Sequence, residues 1–411
     1  MPSGVVEVTV SRKDVQPCFH VMAKPTGAAC NLRCDYCFFL KKERLYPGSE
    51  FRMSDEVLES YVRQLLQANE DPEVTVAWQG GEPTLMGLDF FRRAVELEKR
   101  YRRPGVWVHN TLQTNGVLLD AEWCRFLKEY DFLVGLSLDG PRELHDAYRH
   151  DRGGGPVFDR VAAAVRLMKA QGVEFNILCT VNAANGDHPG EVYRFFRDEI
   201  GASYIQFIPI VERDNDTGYQ EGTAVTGRSV RPEQFGRFLI GVFDEWVRRD
   251  VGRTFVLNFD WVLGAWVYGQ SPVCVFQPTC GGALVLEHNG DLYSCDHFVE
   301  PEHRLGNILE TPMTELAMSA RQRRFGEAKR DTLPRMCREC EFLFACHGEC
   351  PKNRILETPD GEPGLNWLCA GLKAFFAHSR GPMQAMADLV RRGKPAELVM
   401  GPMSPGPGEE R

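Results

Sequence analysis

Residues 29–39 read ACNLRCDYCFF. Cys30, Cys34 and Cys37 stand in C-x3-C-x2-C spacing, with Tyr36 before the last cysteine. Thiolates are the usual ligands of iron–sulfur clusters. Three of them suffice for three irons of a [4Fe–4S] cube and leave the fourth iron open to a substrate or cofactor. On the residues alone, the other reading is a zinc ion completed by a distant fourth ligand. The stretch just upstream, FHVMAKP (19–25), predicts a strand. The triad therefore leaves a strand end, the place where parallel α/β sheets gather their sites.

The strand is the first of a series. VTVAWQ (74–79), VWVHNTLQ (106–113), FLVGLSLD (132–139), EFNILCTV (174–181) and YIQFIPI (204–210) read as further strands. Helical periodicity fills the gaps at 54–69, with Ser54 as N-cap, and at about 88–103, 120–130, 158–171 and 189–200. Six β/α units predict a parallel sheet with helices outside it. Six fall short of the eight that close a barrel, so an α/β fold built as an open partial (β/α)6 barrel is expected. QGGEPT (79–84), QTNG (113–116) and SLDGP (137–141) follow successive strands. Each alone reads as a turn. Three on one edge mark a site.

The chain has 411 residues, enough for two or three domains. Its net charge of −9 argues against a nucleic-acid partner. No apolar run is long enough to span a bilayer, and MPSGVVEVTVSRKD lacks the pattern of an export signal, so no membrane association and a cytoplasmic location are expected. Fourteen cysteines in a reducing compartment point to metal or redox chemistry. Eleven fall in two groups, at 30–37 and 274–369. Cys18, Cys124 and Cys179 lie apart and need no function. The expected organisation is a partial barrel at 1–235, a linker helix region at 236–271, a cysteine-rich domain at 272–380, and a C-terminal helix with a disordered tail at 381–411. Within it, 211–232 reads as a loop and 232–250 as a helix.

The second group holds Cys274, Cys280, Cys295, Cys337, Cys340, Cys346, Cys350 and Cys369. CRECEFLFACHGEC (337–350), taken alone, reads as one closed four-cysteine zinc site. LVLEHNGDLYSC predicts a hairpin about its Asn-Gly. The whole order runs C-x9-G-x4-C, then C-x2-C-x5-C-x3-C, then a last cysteine. Zinc assisted by His297 or His347 is the alternative to iron.

The triad with its aromatic, together with GGEP (80–83), resembles the radical S-adenosylmethionine (SAM) superfamily. The second group resembles the SPASM domain, which carries auxiliary clusters. From about 19 to 380 the chain is similar to the anaerobic sulfatase-maturating enzymes, on CNLRCDYCFF, QGGEPTL, LQTNG, VGLSLDGP, EFNILC, YSCDHFV and RLGNI. The resemblance implies three [4Fe–4S] clusters. The triad holds one. Cys274, Cys280, Cys295 and Cys350 hold the second, and Cys337, Cys340, Cys346 and Cys369 the third.

It further implies SAM contacts at Tyr36, Gly81, Ser137, Arg149 and Ile205. The GGEP edge takes the amino group, Arg149 suits the methionine carboxylate, and Ile205 aligns with an apolar adenine contact. Gly80 and Gly81, lacking Cβ, would let a ligand approach the backbone. Read without the resemblance, Arg149 is a surface arginine in HDAYRHD and Ser137 a turn cap.

Asp296 in SCDHF matches the family's proposed general base. Burial beside an anionic cluster is expected to raise its pKa. As a bland alternative it is a turn aspartate.

The implied reaction converts a sulfatase Cys or Ser to Cα-formylglycine. A 5′-deoxyadenosyl radical takes the Cβ hydrogen, Asp296 removes the thiol or hydroxyl proton, and the remaining electron leaves through an auxiliary cluster. The implied partners are an unfolded or nascent sulfatase polypeptide bearing Cys/Ser-x-Pro-x-Arg and an electron donor such as flavodoxin or ferredoxin, with the enzyme a monomer. Two other readings stay open. One is a SPASM peptide maturase forming thioether or carbon–carbon crosslinks; the other is a zinc-stabilised binding protein without catalysis.

Overall fold

The computed structural model describes residues 19–400; the tail at 401–411 and Cys18 lie outside the described residues. All six strands form where the sequence places them: β1 (His20–Lys24), β2 (Glu73–Trp78), β3 (Trp107–Thr114), β4 (Leu133–Ser137), β5 (Phe175–Val181) and β6 (Tyr204–Pro209). They pair in parallel in chain order. The helices between them are α1 (Asp55–Ala68), α2 (Leu88–Tyr101), α3 (Ala121–Glu129), α4 (Phe158–Gln171) and α5 (Pro189–Arg194), the last continued by a π turn at Phe195–Glu199. Ser54 caps α1 as expected, its Oγ accepting from Val57 N at 3.3 Å. The α1 residues Leu58, Tyr61, Val62 and Leu65 recur at helical spacing and are buried. Trp78, Phe91, Trp123 and Phe132 fill the core between sheet and helices with edge-to-face aromatic contacts.

Residues 236–271, expected as a linker helix region, are helical over most of their length. They contain the rest of α6 (Pro232–Arg249), a two-residue strand β7 (Phe255–Val256) parallel to β6, and α7 (Leu257–Tyr268). A strand this short, running directly into a helix, leaves no alternation to read. The cysteine-rich region continues the barrel's own sheet. β8 (Ala283–Glu287), β9 (Asp291–Tyr293) and β10 (Arg304–Asn307) extend the same sheet, in order β10-β9-β8-β1-β2-β3-β4-β5-β6-β7. The hairpin β8–β9 forms as expected. Its β8 lies parallel to β1 in register from His20↔Ala283 to Lys24↔Glu287.

The boundaries expected at 235 and 380 fall inside α6 and inside a helix running from Cys369 to Arg391. These two helices meet at glycines. A Cβ on Gly371 would lie 1.9 Å from Pro232 O, and one on Gly236 2.7 Å from Gly371 Cα. Only residues without a side chain allow this approach, and it ties the C-terminal helix to the barrel.

Candidate active site

The triad loop leaves β1 and is fastened to the end of β2 by main-chain bonds. Gly81 N donates to Gly27 O at 2.8 Å and Glu82 N to Ala29 O at 2.9 Å. A Cβ on Gly81 would stand 2.0 Å from Ala29 O. The missing side chain therefore makes room for the chain's own triad loop, where the sequence suggested an approaching ligand. Glu82 is fully buried. Its carboxylate accepts from Thr84 N and Oγ1, from Thr114 Oγ1 at 2.8 Å and from Asn115 N at 2.8 Å. Burial still raises its pKa against these bonds. Asn115 Nδ2 then reaches Asn31 Oδ1 at 2.8 Å and Cys30 Sγ at 3.7 Å. QGGEPT and QTNG thus meet on the triad, and Glu82 is the knot between them.

The third motif joins through Asp139. Tyr36 Oη donates to Asp139 Oδ2 at 2.5 Å, and Arg149 forks onto the same carboxylate at 2.8 and 3.1 Å. Thr180 N donates to Asp139 Oδ1 at 2.9 Å. Burial would raise the Asp139 pKa, but the Arg149 guanidinium and the Tyr36 hydroxyl hold it below the usual carboxylate range. Arg149 is buried, so the surface reading fails. Its bidentate partner is Asp139, which the sequence reading missed although it lies in SLDGP.

Ser137 accepts from Gln113 Nε2 at 3.0 Å. Strand register places Ser137, Leu178 and Gln206 in one row, hence on one face. Ile205 belongs to the adjacent row, Leu136–Ile177–Ile205, and is fully buried in the core. Its side chain is on the face opposite Ser137. Period-two alternation separates the two residues.

Asp296 follows β9 and meets β1. Its Oδ1 is 2.5 Å from Lys24 Nζ. The Lys24 side chain is 2 % exposed and that of Asp296 22 %, so the carboxylate keeps an open side. Lys24 Nζ lies 3.6 Å from the Phe39 ring centre, and the His297 ring lies tilted against Phe38 with centres 5.8 Å apart. The Asp296–His297 turn therefore sits against the Cys37–Phe38–Phe39 segment of the triad loop. The expected upward shift of Asp296 is reversed. Burial pushes it up, but the Lys24 and Lys352 ammoniums lie close enough to hold it below the ordinary value. Burial also drives the neighbouring His297 down to about 3. Lys24 was read only as the end of a strand; a lysine closing an apolar strand at a site edge was the signal available.

Burial pushes the Cys30 and Cys34 thiols up to about 12 and raises Cys37. Thiols so placed are neutral until a metal displaces the proton. The eight later cysteines fall into two electrostatic sets. Cys295 feels Cys350 and Cys274, and Cys280 feels Cys274. Cys369 feels Cys337 and Cys340, and Cys346 feels Cys369 and Cys337.

Cys337, Cys340, Cys346 and Cys369 line one cavity of about 300 Å³. Cys369 opens the C-terminal helix, whose N-terminal dipole favours an anion. Among the described residues no His, Cys, Asp or Glu side chains close to the spacing of a single-ion site. Four thiols around a volume of this size fit a cluster. The stretch 337–350 does not close on itself: Cys369 joins three of its cysteines, and Cys350 turns to Cys295 and Cys274.

A partial parallel barrel with three thiols at the exit of β1, joined to an eight-cysteine region, defines a radical SAM enzyme with a SPASM domain. The Radical SAM superfamily model matches residues 25–196, and that of the SPASM iron–sulfur cluster-binding domain matches 274–341. A serine-type anaerobic sulfatase-maturating enzyme of Bacteroides thetaiotaomicron is 46% identical over 92% of this chain and 94% of its own. A cysteine-type enzyme of Clostridium perfringens is 35% identical over 88% and 96%. The solved structure of native anSMEcpe with bound AdoMet and the Cp18Cys peptide superposes with a TM-score of 0.81 at 34% identity, covering 91% of this chain and 100% of the other. The chain belongs to the family of anaerobic sulfatase-maturating enzymes.

Proposed function

We propose that this radical SAM oxidoreductase converts a Cys or Ser side chain of a sulfatase polypeptide to Cα-formylglycine. Cys30, Cys34 and Cys37 would hold the SAM-binding [4Fe–4S] cluster, Cys274, Cys280, Cys295 and Cys350 a second, and Cys337, Cys340, Cys346 and Cys369 a third. When bound, the first cluster with SAM would supply the one-electron chemistry that removes the substrate Cβ hydrogen, and an auxiliary cluster would take the remaining electron of the two-electron oxidation.

The chain's own residues position and deprotonate. Tyr36, Gly81, Ser137 and Arg149 form or brace the SAM edge, and Asp139 fixes Arg149 and Tyr36 to each other. Asp296 accepts the substrate thiol or hydroxyl proton. Lys24 keeps it ionised and oriented, so it is a base waiting for a proton at neutral pH. The low pKa makes it a weak base in water. In a water-poor site the carboxylate acts on a substrate whose acidity rises once the Cβ hydrogen has gone.

The observation that carries this reading is the placement of Asp296 by Lys24 against the triad loop. The substrate is a polypeptide bearing Cys/Ser-x-Pro-x-Arg, and a flavodoxin- or ferredoxin-type protein supplies electrons to a monomeric, cytoplasmic enzyme. No described helix is long and apolar enough to cross a membrane.

The test is an anaerobic assay of Ser-x-Pro-x-Arg and Cys-x-Pro-x-Arg peptides with SAM and reductant. The Ser peptide should lose H2, and the Cys peptide should lose H2 and exchange sulfur for oxygen, each with matching 5′-deoxyadenosine. A crosslinked product, or no peptide change alongside SAM cleavage, overturns the assignment.

A further inference from the structure

Cys346 and Cys350 belong to different thiol sets, and only His347, Gly348 and Glu349 separate them. All three adopt left-handed backbone, at φ of 45°, 70° and 50°. Left-handed residues are uncommon singly outside glycine, and a run that includes His and Glu is costly. Such strain persists only where surrounding structure imposes it.

Here one side chain does most of that. The Arg354 guanidinium donates to Gly348 O through Nε at 3.0 Å, to His347 O at 2.8 Å and Glu349 O at 3.4 Å through Nη2, and to Lys329 O at 2.5 Å through Nη1. None of the hydrogen bonds it makes is to a carboxylate. Asn366 and Asn353 complete the clamp by donating to Glu349 Oε2 at 2.7 and 2.9 Å. Lys329 in turn donates through Nζ to Cys274 O at 2.6 Å and Val275 O at 2.8 Å. The Arg354 charge acts on Cys280 of one set and Cys337 of the other, and it feels Cys346 and Cys350.

We infer that Arg354 is a positioning residue that locks the His347–Glu349 turn and, alongside the Lys329 ammonium on the Cys274–Cys280 side, places a fixed positive charge between the two auxiliary clusters, so that it fixes their separation and raises both their reduction potentials. The inference rests on the cluster assignment proposed above. Two thiolate-bound cubes close together repel as anions. A cation desolvated between them offsets that repulsion and favours the reduced, more negative state of each. Arginine suits the position because its planar fork can satisfy several carbonyls at once while staying charged; lysine supplies only the charge.

The test uses anaerobically reconstituted full-length wild type, Arg354→Gln and Arg354→Lys. Iron content first tests the underlying assignment: about 12 Fe per wild-type chain is required of three cubes, and clearly less sinks that reading independently of Arg354. EPR-monitored redox titration then tests the inference. In Arg354→Gln both auxiliary midpoints should move to more negative potential while the triad cluster stays put. In Arg354→Lys the midpoints should return toward wild type, but the spin–spin coupling between the two reduced auxiliary clusters should change. Unmoved midpoints, a shift of one auxiliary cluster alone, or an equal shift of the triad cluster overturns the inference. If Arg354→Gln fails to load iron, Arg354→Lys decides, and wild-type spin coupling in that variant overturns it.

Discussion

Lys24, the last residue of β1, and Asp296, which follows β9, stand 2.5 Å apart although 272 positions separate them in the chain (296 − 24). β8 makes the meeting possible by pairing with β1 in parallel and delivering the hairpin to the triad's own strand. Asp296→Asn should retain SAM cleavage and lose formylglycine by about 100-fold or more, the usual contribution of a positioned base. Product at the normal rate would remove Asp296 from the mechanism.

Lys24→Met tests the other half of the pair. A hydrogen bond to a charged group contributes roughly 1.5–3 kcal/mol, so product formation should fall about 10- to 100-fold. The telling readout is the ratio of formylglycine to 5′-deoxyadenosine. It should drop, because radical generation continues while deprotonation falters. An unchanged ratio would mean that Lys24 serves only packing.

The Asp139–Arg149 pair should matter to both stability and cofactor binding. Removing one partner of a buried ion pair costs about 3–5 kcal/mol. Asp139→Asn should lower the unfolding temperature and weaken SAM binding, measured by anaerobic titration. Adding Arg149→Gln to it should cost much less than the sum of the two single changes, since the pair acts as a unit. Additive losses would show that Arg149 has an independent role.

How much of this was legible in the sequence depended on distance along the chain. The six β/α units announced themselves because strand and helix periodicities are local. The cysteine groups announced themselves by spacing. β7 did not, because two residues cannot show a period. The pairing of β8 with β1 did not either, because parallel partners so far apart share no local pattern. Lys24 and Asp139 were missed for the same reason: each reads as an ordinary strand or turn residue until its partner arrives from elsewhere. Asp296 was found by its neighbour Cys295, but its charge environment was misjudged because Lys24 was not in view.

Glu98 gives a pH prediction that does not involve the site. It lies buried on α2, where Asn110 Nδ2 donates to its Oε2 at 2.9 Å and Trp78 Nε1 donates to Asn110 Oδ1 at 2.8 Å. Burial, opposed by the Asn110 bond, raises its pKa to about 7. The unfolded chain releases this proton near pH ~4.3, so between there and about 7 the native state binds more protons. Stability must then fall as pH rises through that window, by about 4 kcal/mol at ~1.36 kcal/mol per unit. The Glu98→Gln variant should lose this part of the pH dependence and overtake wild type in unfolding temperature above pH ~7. Parallel pH profiles for the two proteins would show that Glu98 titrates normally.

Cys350 is the sharpest test of how the cysteines are shared. By chain position it belongs with Cys337, Cys340 and Cys346, all within fourteen residues. By electrostatic neighbourhood it belongs with Cys274 and Cys295. The cavity holding Cys337, Cys340, Cys346 and Cys369 is lined without it. Cys350→Ala should therefore damage the cluster beside Asp296 and spare the one ligated by its sequence neighbours. Iron content should fall by up to about 4 per chain, one cube. The surviving EPR signals should be those of the triad and of the cluster that Cys369→Ala abolishes. Formylglycine production should fall with the lost cluster, because Asp296 is attached to Cys295 and moves with it. If Cys350→Ala and Cys369→Ala remove the same cluster, the four cysteines of 337–350 form one closed site after all.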